Sequence, residues 1–75
     1  QGAERWGLER KVWRDGQHDP LPKGLAQLAA YLDRLGLTTG TLLLFDARSA
    51  AAPLPERVSR EALEHGGRRI TLLRL

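Results

Sequence analysis

The stretch that decides the fold is residues 9–36, "ERKVWRDGQHDPLPKGLAQLAAYLDRLG". It begins inside a segment whose residues alternate in polarity, which is typical of a β-strand. Asp-Gly and Asp-Pro turn signals follow, and leucines then recur at helical spacing. We predict a strand over residues 5–13, a loop over 14–22 and a helix over 23–35.

The predicted first strand has two unlike faces, because side chains at positions i and i+2 point the same way. The apolar face would carry Trp6, Leu8 and Val12. The other face would carry Gly7, Glu9, Lys11 and Trp13. Arg10 interrupts the apolar face, and a buried unpaired charge is costly. We therefore expect Arg10 to lie at an open edge, to pair with an acid or to face a gap.

The predicted helix is the strongest local signal in the chain. Its apolar stripe consists of Leu25, Leu28, Ala29, Leu32 and Leu35. Pro22 suits the first turn of a helix, and Gly36 suits a left-handed residue just past its end. Trp13 could stack on a base, but we expect it to pack beneath this helix.

The second half of the chain predicts further strands. Residues 41–46, "TLLLFD", form a continuous apolar run that is typical of a strand covered on both faces. Residues 47–57 predict a loop, 59–65 a short helix capped by Ser59, and Gly66-Gly67 a turn. Residues 68–75 predict a final strand with Ile70 and Leu72 directed inward. The fold class is therefore α/β, a βαβ unit with an additional C-terminal strand.

Composition limits the function classes. The 75 residues make one small domain, with twelve basic residues, nine acidic residues and no cysteine. Ten of the basic residues are Arg, which suits phosphate binding, although a generic Arg-rich surface explains this equally well. No signal peptide or membrane-spanning run is evident, so we expect a cytoplasmic protein. Because the chain contains no Met, we expect a fragment, a processed product or an excised domain.

Four polar side chains form a candidate site. Glu9 and Lys11 would project from one face of the strand, and Gln27 and Tyr31 would share one face of the helix. A carboxylate can hold Mg²⁺, and a Lys can orient water or offset charge on a phosphate. The plainer interpretation is an ion pair on a solvated strand, a solvent-facing Gln and a Tyr at the margin of the core.

An E-x-K strand followed by a helix with Q-x-x-x-Y resembles the second half of the PD-(D/E)XK nuclease superfamily, in particular its RecB-like branch. The wider wording, "ERKVWRDG…KGLAQLAAYLDRLGLTTGTLLLFDAR…RRITLLRL", is similar to nuclease-like domains at the C-terminus of prokaryotic AAA-ATPase-like proteins. The resemblance implies a restriction-endonuclease-like fold, with residues 1–75 as a single partial domain, the C-terminal half of such a domain.

Carried over by residue, the resemblance implies that Glu9 is a metal-binding and catalytic carboxylate and Lys11 the catalytic lysine. Gln27 and Tyr31 would form a supporting pair near the substrate backbone. Phe45, Asp46 and Arg48 match the end of the following strand in the family pattern, where these residues would have a structural role.

Two departures from the family pattern stand out. An acidic residue, usually Asp, is expected on a strand before E-x-K, and no Asp precedes Glu9. The middle position of E-x-K is normally apolar but is Arg10 here.

These features predict a fragment of a Mg²⁺-dependent DNA phosphodiesterase that is inactive alone because a further carboxylate is needed. The alternative is a nucleic-acid-binding or protein-interaction module that keeps the nuclease-like fold without chemistry. Its candidate phosphate contacts are Arg14, Lys23 and Arg34. A third interpretation is a structural piece whose open sheet edge pairs with another copy to form a homo-oligomer.

Overall fold

The computed structural model describes residues 7–75 and shows an α/β fold over that range. Its elements are β1 (Leu8–Trp13), α1 (Leu21–Leu35), β2 (Thr39–Asp46), α2 (Leu54–Arg57), β3 (Ser59–His65) and β4 (Arg68–Arg74). The four strands form one sheet in the order β1-β2-β4-β3. Strand β2 pairs in parallel with β1 and β4, whereas β3 pairs antiparallel with β4. The predicted α/β class and the β1-α1-β2 unit are confirmed.

Helix α1 ends where its sequence signals indicate and begins slightly earlier. It starts at Leu21, two residues earlier than predicted, with Pro22 in its first turn. The Asp19 carboxylate accepts a hydrogen bond from the Leu21 N–H at 3.0 Å. At the other end, Gly36 adopts a left-handed conformation with φ 70°, and the Leu37 N–H donates to the Leu32 carbonyl at 2.9 Å. Gly36 therefore ends the helix as predicted.

The core lies between α1 and one face of the sheet, which we call the helix face. Each of the six core side chains is at most 1% exposed: Leu28, Leu32, Leu42, Leu44, Ile70 and Leu72. The inward direction predicted for Ile70 and Leu72 is thus confirmed. The helix sits close to the strand, since a Cβ on Gly40 would lie 2.9 Å from a Leu32 methyl and 3.0 Å from the Gly7 carbonyl oxygen.

The predicted grouping of the β1 side chains into two faces is confirmed, but the apolar face is not the one that the helix covers. Leu8 and Val12 are each 39% exposed, whereas Glu9, Lys11 and Trp13 are half-buried on the helix face. Trp6 lies outside the described residues. The physical reason is that α1 packs on the side of the sheet that carries Glu9 and Lys11. Arg10 accordingly lies exposed on an edge strand, which is one of the three placements expected for it.

Strand β2 is central, but it is fully buried on only one face. Leu42 and Leu44 lie in the core, whereas Leu43 and Phe45 on the other face are half-buried. We call this second side of the sheet the open face. The prediction of a strand covered on both faces is therefore wrong over residues 7–75, where no long helix packs on the open face.

The predicted helix over 59–65 is also wrong, because this segment is strand β3. Gly66 and Gly67 have φ values of 59° and 78°, and two consecutive residues with positive φ are typical of a tight hairpin turn. The turn joins β3 to β4, and β3 is the edge strand on that side of the sheet. The predicted loop over 47–57 contains the single-turn helix α2.

Candidate functional site

Glu9 and Lys11 lie on β1, at one edge of the sheet and on the helix face. Their register partners on β2 are the buried residues Leu42 and Leu44. Both charged side chains are half-buried, because helix α1 covers this part of the sheet. The outer edge of β1 has no partner strand within residues 7–75. The carboxylate and the ammonium thus stand between a helix and an open strand edge.

Gly24 determines how closely α1 approaches Lys11. A Cβ at position 24 would lie 3.1 Å from the Lys11 Cγ and 3.2 Å from both Leu42 methyl groups. The backbone of α1 therefore packs against the aliphatic part of the Lys11 side chain. Such packing limits the conformations of a long side chain that would otherwise be freely mobile. Because glycine has no side chain, Gly24 allows this close approach of the helix.

Gln27 and Tyr31 lie on the stretch of α1 that runs past Glu9. Gly24 on α1 meets Lys11, and Leu32 reaches Gly7 at the start of β1, so the helix runs antiparallel to the strand. Both Gln27 and Tyr31 fall between these two contact points, as Glu9 does on β1.

The two side chains differ in their surroundings. Gln27 is exposed. Tyr31 is half-buried against the core, and the Arg34 guanidinium carbon lies 5.7 Å from the centre of its ring. The sequence-predicted amide and phenol are thus on the helix that covers Glu9 and Lys11.

Two exposed cations lie on α1, the helix that covers this side of the sheet. Lys23 and Arg34 are exposed on α1, and their spacing from Gln27 places all three on neighbouring parts of one helix surface. Arg14 is exposed directly after β1. The α1 surface with Lys23, Arg34, the Gln27 amide and the Tyr31 phenol offers several groups that can contact a phosphate backbone.

Glu9 is the residue that the resemblance assigns to a metal ion. Within the described part of the chain, no three His, Asp or Glu side chains lie close enough together to hold a metal ion. Glu9 is the single carboxylate that the candidate site contributes. Mg²⁺ bound by substrate phosphates commonly takes one or two protein carboxylates. That a further acid from outside these residues completes the site is what the resemblance implies, and it stays a prediction.

A second polar cluster, which the sequence indicated only as structural, lies at the ends of β1 and β2. Arg48 donates to both carboxylate oxygens of Asp46, and its guanidinium carbon lies 3.6 Å from the centre of the Trp13 ring. The Trp13 Nε1–H donates to the Gln17 carbonyl at 3.0 Å. Trp13 is partly buried against the core on the helix face, and one face of its ring is occupied by Arg48. These contacts connect the end of β1 with the residues that follow β2.

The loop contact between Asp15 and Ser49 was not predicted. The Asp15 carboxylate accepts the Ser49 N–H at 3.1 and 3.3 Å, which ties the loop after β1 to the loop after β2. The two residues are 34 positions apart, and nothing in the local sequence pairs them. Only the parallel arrangement of β1 and β2 brings their following loops together.

Comparisons of the chain with protein-family models, with curated protein sequences and with solved structures found no significant match in any of the three. Within residues 7–75, no helix is both long enough and apolar enough to cross a membrane.

Proposed function

We propose that this chain supplies the E-x-K half of a DNA phosphodiesterase site of the PD-(D/E)XK type, within a restriction-endonuclease-like domain. The observation that supports this most is the position of α1. The helix that bears Gln27 and Tyr31 covers the sheet face that bears Glu9 and Lys11. Had the helix packed on the open face, the four side chains would be separated by the sheet and the proposal would have no geometric basis.

In this proposal each side chain has a distinct task. The Lys11 ammonium offsets negative charge on the scissile phosphate. The Glu9 carboxylate provides oxygen ligands for a hard cation such as Mg²⁺. Gln27 and Tyr31 donate hydrogen bonds to the substrate backbone, and Arg14 and Lys23 contact neighbouring phosphates. The open edge of β1 leaves room for a strand that would bring the further carboxylate.

The proposal predicts that the 75-residue chain binds DNA but does not cleave it. Binding can be measured by fluorescence anisotropy of a labelled duplex with and without Mg²⁺. We expect Glu9→Gln to raise affinity without metal, because the substitution removes a negative charge beside the phosphates. We expect Mg²⁺ to strengthen binding by the unmodified chain and to have a smaller effect on Glu9→Gln.

Two controls make this test specific. Glu64→Gln removes an exposed carboxylate from β3 on the open face and should leave the Mg²⁺ effect unchanged. Lys11→Ala should weaken binding, whereas Lys11→Arg should keep most of it, since the positive charge is retained. Equal behaviour of Glu9→Gln and Glu64→Gln would contradict the site, and Mg²⁺-dependent cleavage that Lys11→Ala abolishes would contradict the predicted inactivity.

A second candidate function is a nucleic-acid-binding module without chemistry. The exposed Arg10 at the middle of E-x-K and the absence of an acidic cluster among residues 7–75 favour it. This function predicts DNA binding that depends on salt but is indifferent to Mg²⁺ and to Glu9. The same anisotropy experiment separates the two functions, because only the phosphodiesterase proposal links Mg²⁺ to Glu9.

A further inference from the structure

The open face carries one row of side chains that crosses all four strands. The register places Arg10 beside Leu43, Leu43 beside Leu73, and Leu73 beside Arg60. Residues side by side in a sheet project from the same face. The row therefore has two leucines in its centre and an arginine at each end. Both arginines are exposed, and they lie on the two opposite edge strands.

The neighbouring rows carry apolar side chains and two threonines, and no charged residue among the described pairs. On one side, Val12 lies beside Phe45. On the other side, the row consists of Leu8, Thr41, Thr71 and Ala62. Leu8 and Val12 are each 39% exposed. Parallel strands are ordinarily covered on both faces, and within residues 7–75 only the helix face is covered by a long helix.

We propose that the open face binds an amphipathic helix from a partner protein. Acidic residues flank the apolar stripe of this helix on both sides. The dimensions fit one helix. Three strand spacings separate β1 from β3, about 14 Å, and an α-helix with its side chains is about 10–12 Å wide. A single helix lying above β2 and β4 would bury Leu43 and Leu73. Its flanking carboxylates would then lie beside Arg10 on one side and Arg60 on the other.

Charge argues against a second copy of this chain as the occupant. Among the described strand residues, the open face carries Arg10, Arg60 and Arg69 but only one acid, Glu64, whose register partner is Arg69. A two-fold axis would therefore place a positive apolar surface against itself, and like charges across an interface are costly. An acidic helix meets the same surface with complementary charge.

The test uses three synthetic helical peptides of about four turns. The first has a leucine stripe flanked by Glu, the second has Lys in place of Glu, and the third has the first composition in scrambled order. Binding to the 75-residue chain is measured by isothermal titration calorimetry, and the site is located from amide chemical shifts. We expect the Glu peptide to bind at least about tenfold more tightly than the Lys peptide and to shift the amides of β2 and β4.

A charge reversal makes the test specific. The double variant Arg10→Glu/Arg60→Glu should no longer bind the Glu peptide and should bind the Lys peptide instead. The matched control Lys23→Glu/Arg34→Glu makes the same charge change on α1, on the other side of the sheet, and should preserve the preference. Thermal unfolding of each variant would check that it is folded. Equal binding of the Glu and Lys peptides, equal effects of the two double variants, or a dimer that Val12→Asp dissociates would overturn the proposal.

Discussion

Arg48 donates hydrogen bonds to both carboxylate oxygens of Asp46, at 2.8 Å from Nε and 2.7 Å from Nη2. The Arg48 backbone N–H adds a third hydrogen bond at 3.2 Å. These bonds stabilise the charged form of the carboxylate, and they lower the pKa of Asp46 from 3.8 to about 2. The pair closes the carboxyl end of β2, next to the Trp13 ring on which Arg48 stacks.

The first prediction concerns acid stability. Because the pKa of Asp46 is lower in the folded chain, its contribution is present in full above the unfolded pKa of 3.8 and is lost as the pH falls through about 2. We expect the free energy of unfolding, measured by urea titration, to decrease over that window. Asp46→Asn should flatten the decrease. Glu56→Gln, at an exposed position of α2, should leave the slope as it is.

The second prediction concerns the core. Leu32 is fully buried, and a Leu→Ala change at such a site costs about 2–5 kcal/mol. A domain of this size has only about 3–5 kcal/mol of stability in all. We therefore expect Leu32→Ala to abolish cooperative urea unfolding followed by circular dichroism. Leu35→Ala, in the same helix at a side chain that is 38% exposed, should retain a sharp transition, and similar curves for the two variants would contradict the described core.

Local sequence patterns predicted those elements whose two ends and buried face are both encoded nearby. Helix α1 has a leucine stripe, Pro22 and Gly36. Strands β2 and β4 have short apolar runs next to turn residues. The face of β1 could not be read in this way, because it depends on which side of the sheet α1 packs. Apolar Leu8 and Val12 suggested the wrong side, while half-buried Lys11 contributes its aliphatic part to the packing.

Strand β3 shows a conflict between local propensity and tertiary pairing. The segment "SREALEH" contains good helix formers after a serine, which indicated a helix. Pairing with β4 along seven residues overrides this preference. The signal that could have identified the strand is Gly66-Gly67, since two glycines directly before a strand are typical of a hairpin. For the candidate site, the spacing of Glu9, Lys11, Gln27 and Tyr31 indicated neighbours, but not the close approach at Gly24.

The third prediction tests the hairpin. Gly66 and Gly67 have positive φ values, a conformation that Asn tolerates and β-branched residues resist. We expect Gly66→Asn to change the free energy of unfolding by less than about 1 kcal/mol. Gly67→Val should cost about 1–2 kcal/mol. Urea unfolding of both variants provides the measurement, and equal stability of the two would be incompatible with the turn described here.

The fourth prediction concerns Gly24. An Ala there gains about 1 kcal/mol of helix propensity, but its Cβ would press on Lys11 and on both Leu42 methyl groups. We expect Gly24→Ala to be better tolerated when Leu42→Val is also present, because the shorter side chain leaves space. A double-mutant cycle in urea measures this coupling. Additive effects of the two substitutions would show that α1 does not approach β2 so closely.

The fifth prediction concerns the surface that contacts DNA in the proposed function. Lys23 and Arg34 are exposed on α1 near Gln27, and each phosphate contact contributes about one unit to the slope of log affinity against log salt. We expect Lys23→Ala and Arg34→Ala each to reduce that slope by about 1, measured by anisotropy at several salt concentrations. Arg60→Ala removes an equal charge from the open face and should leave the slope unchanged. If all three variants reduce the slope equally, the attraction comes from net charge rather than from a surface on α1, and the substrate contacts proposed for this helix would be wrong.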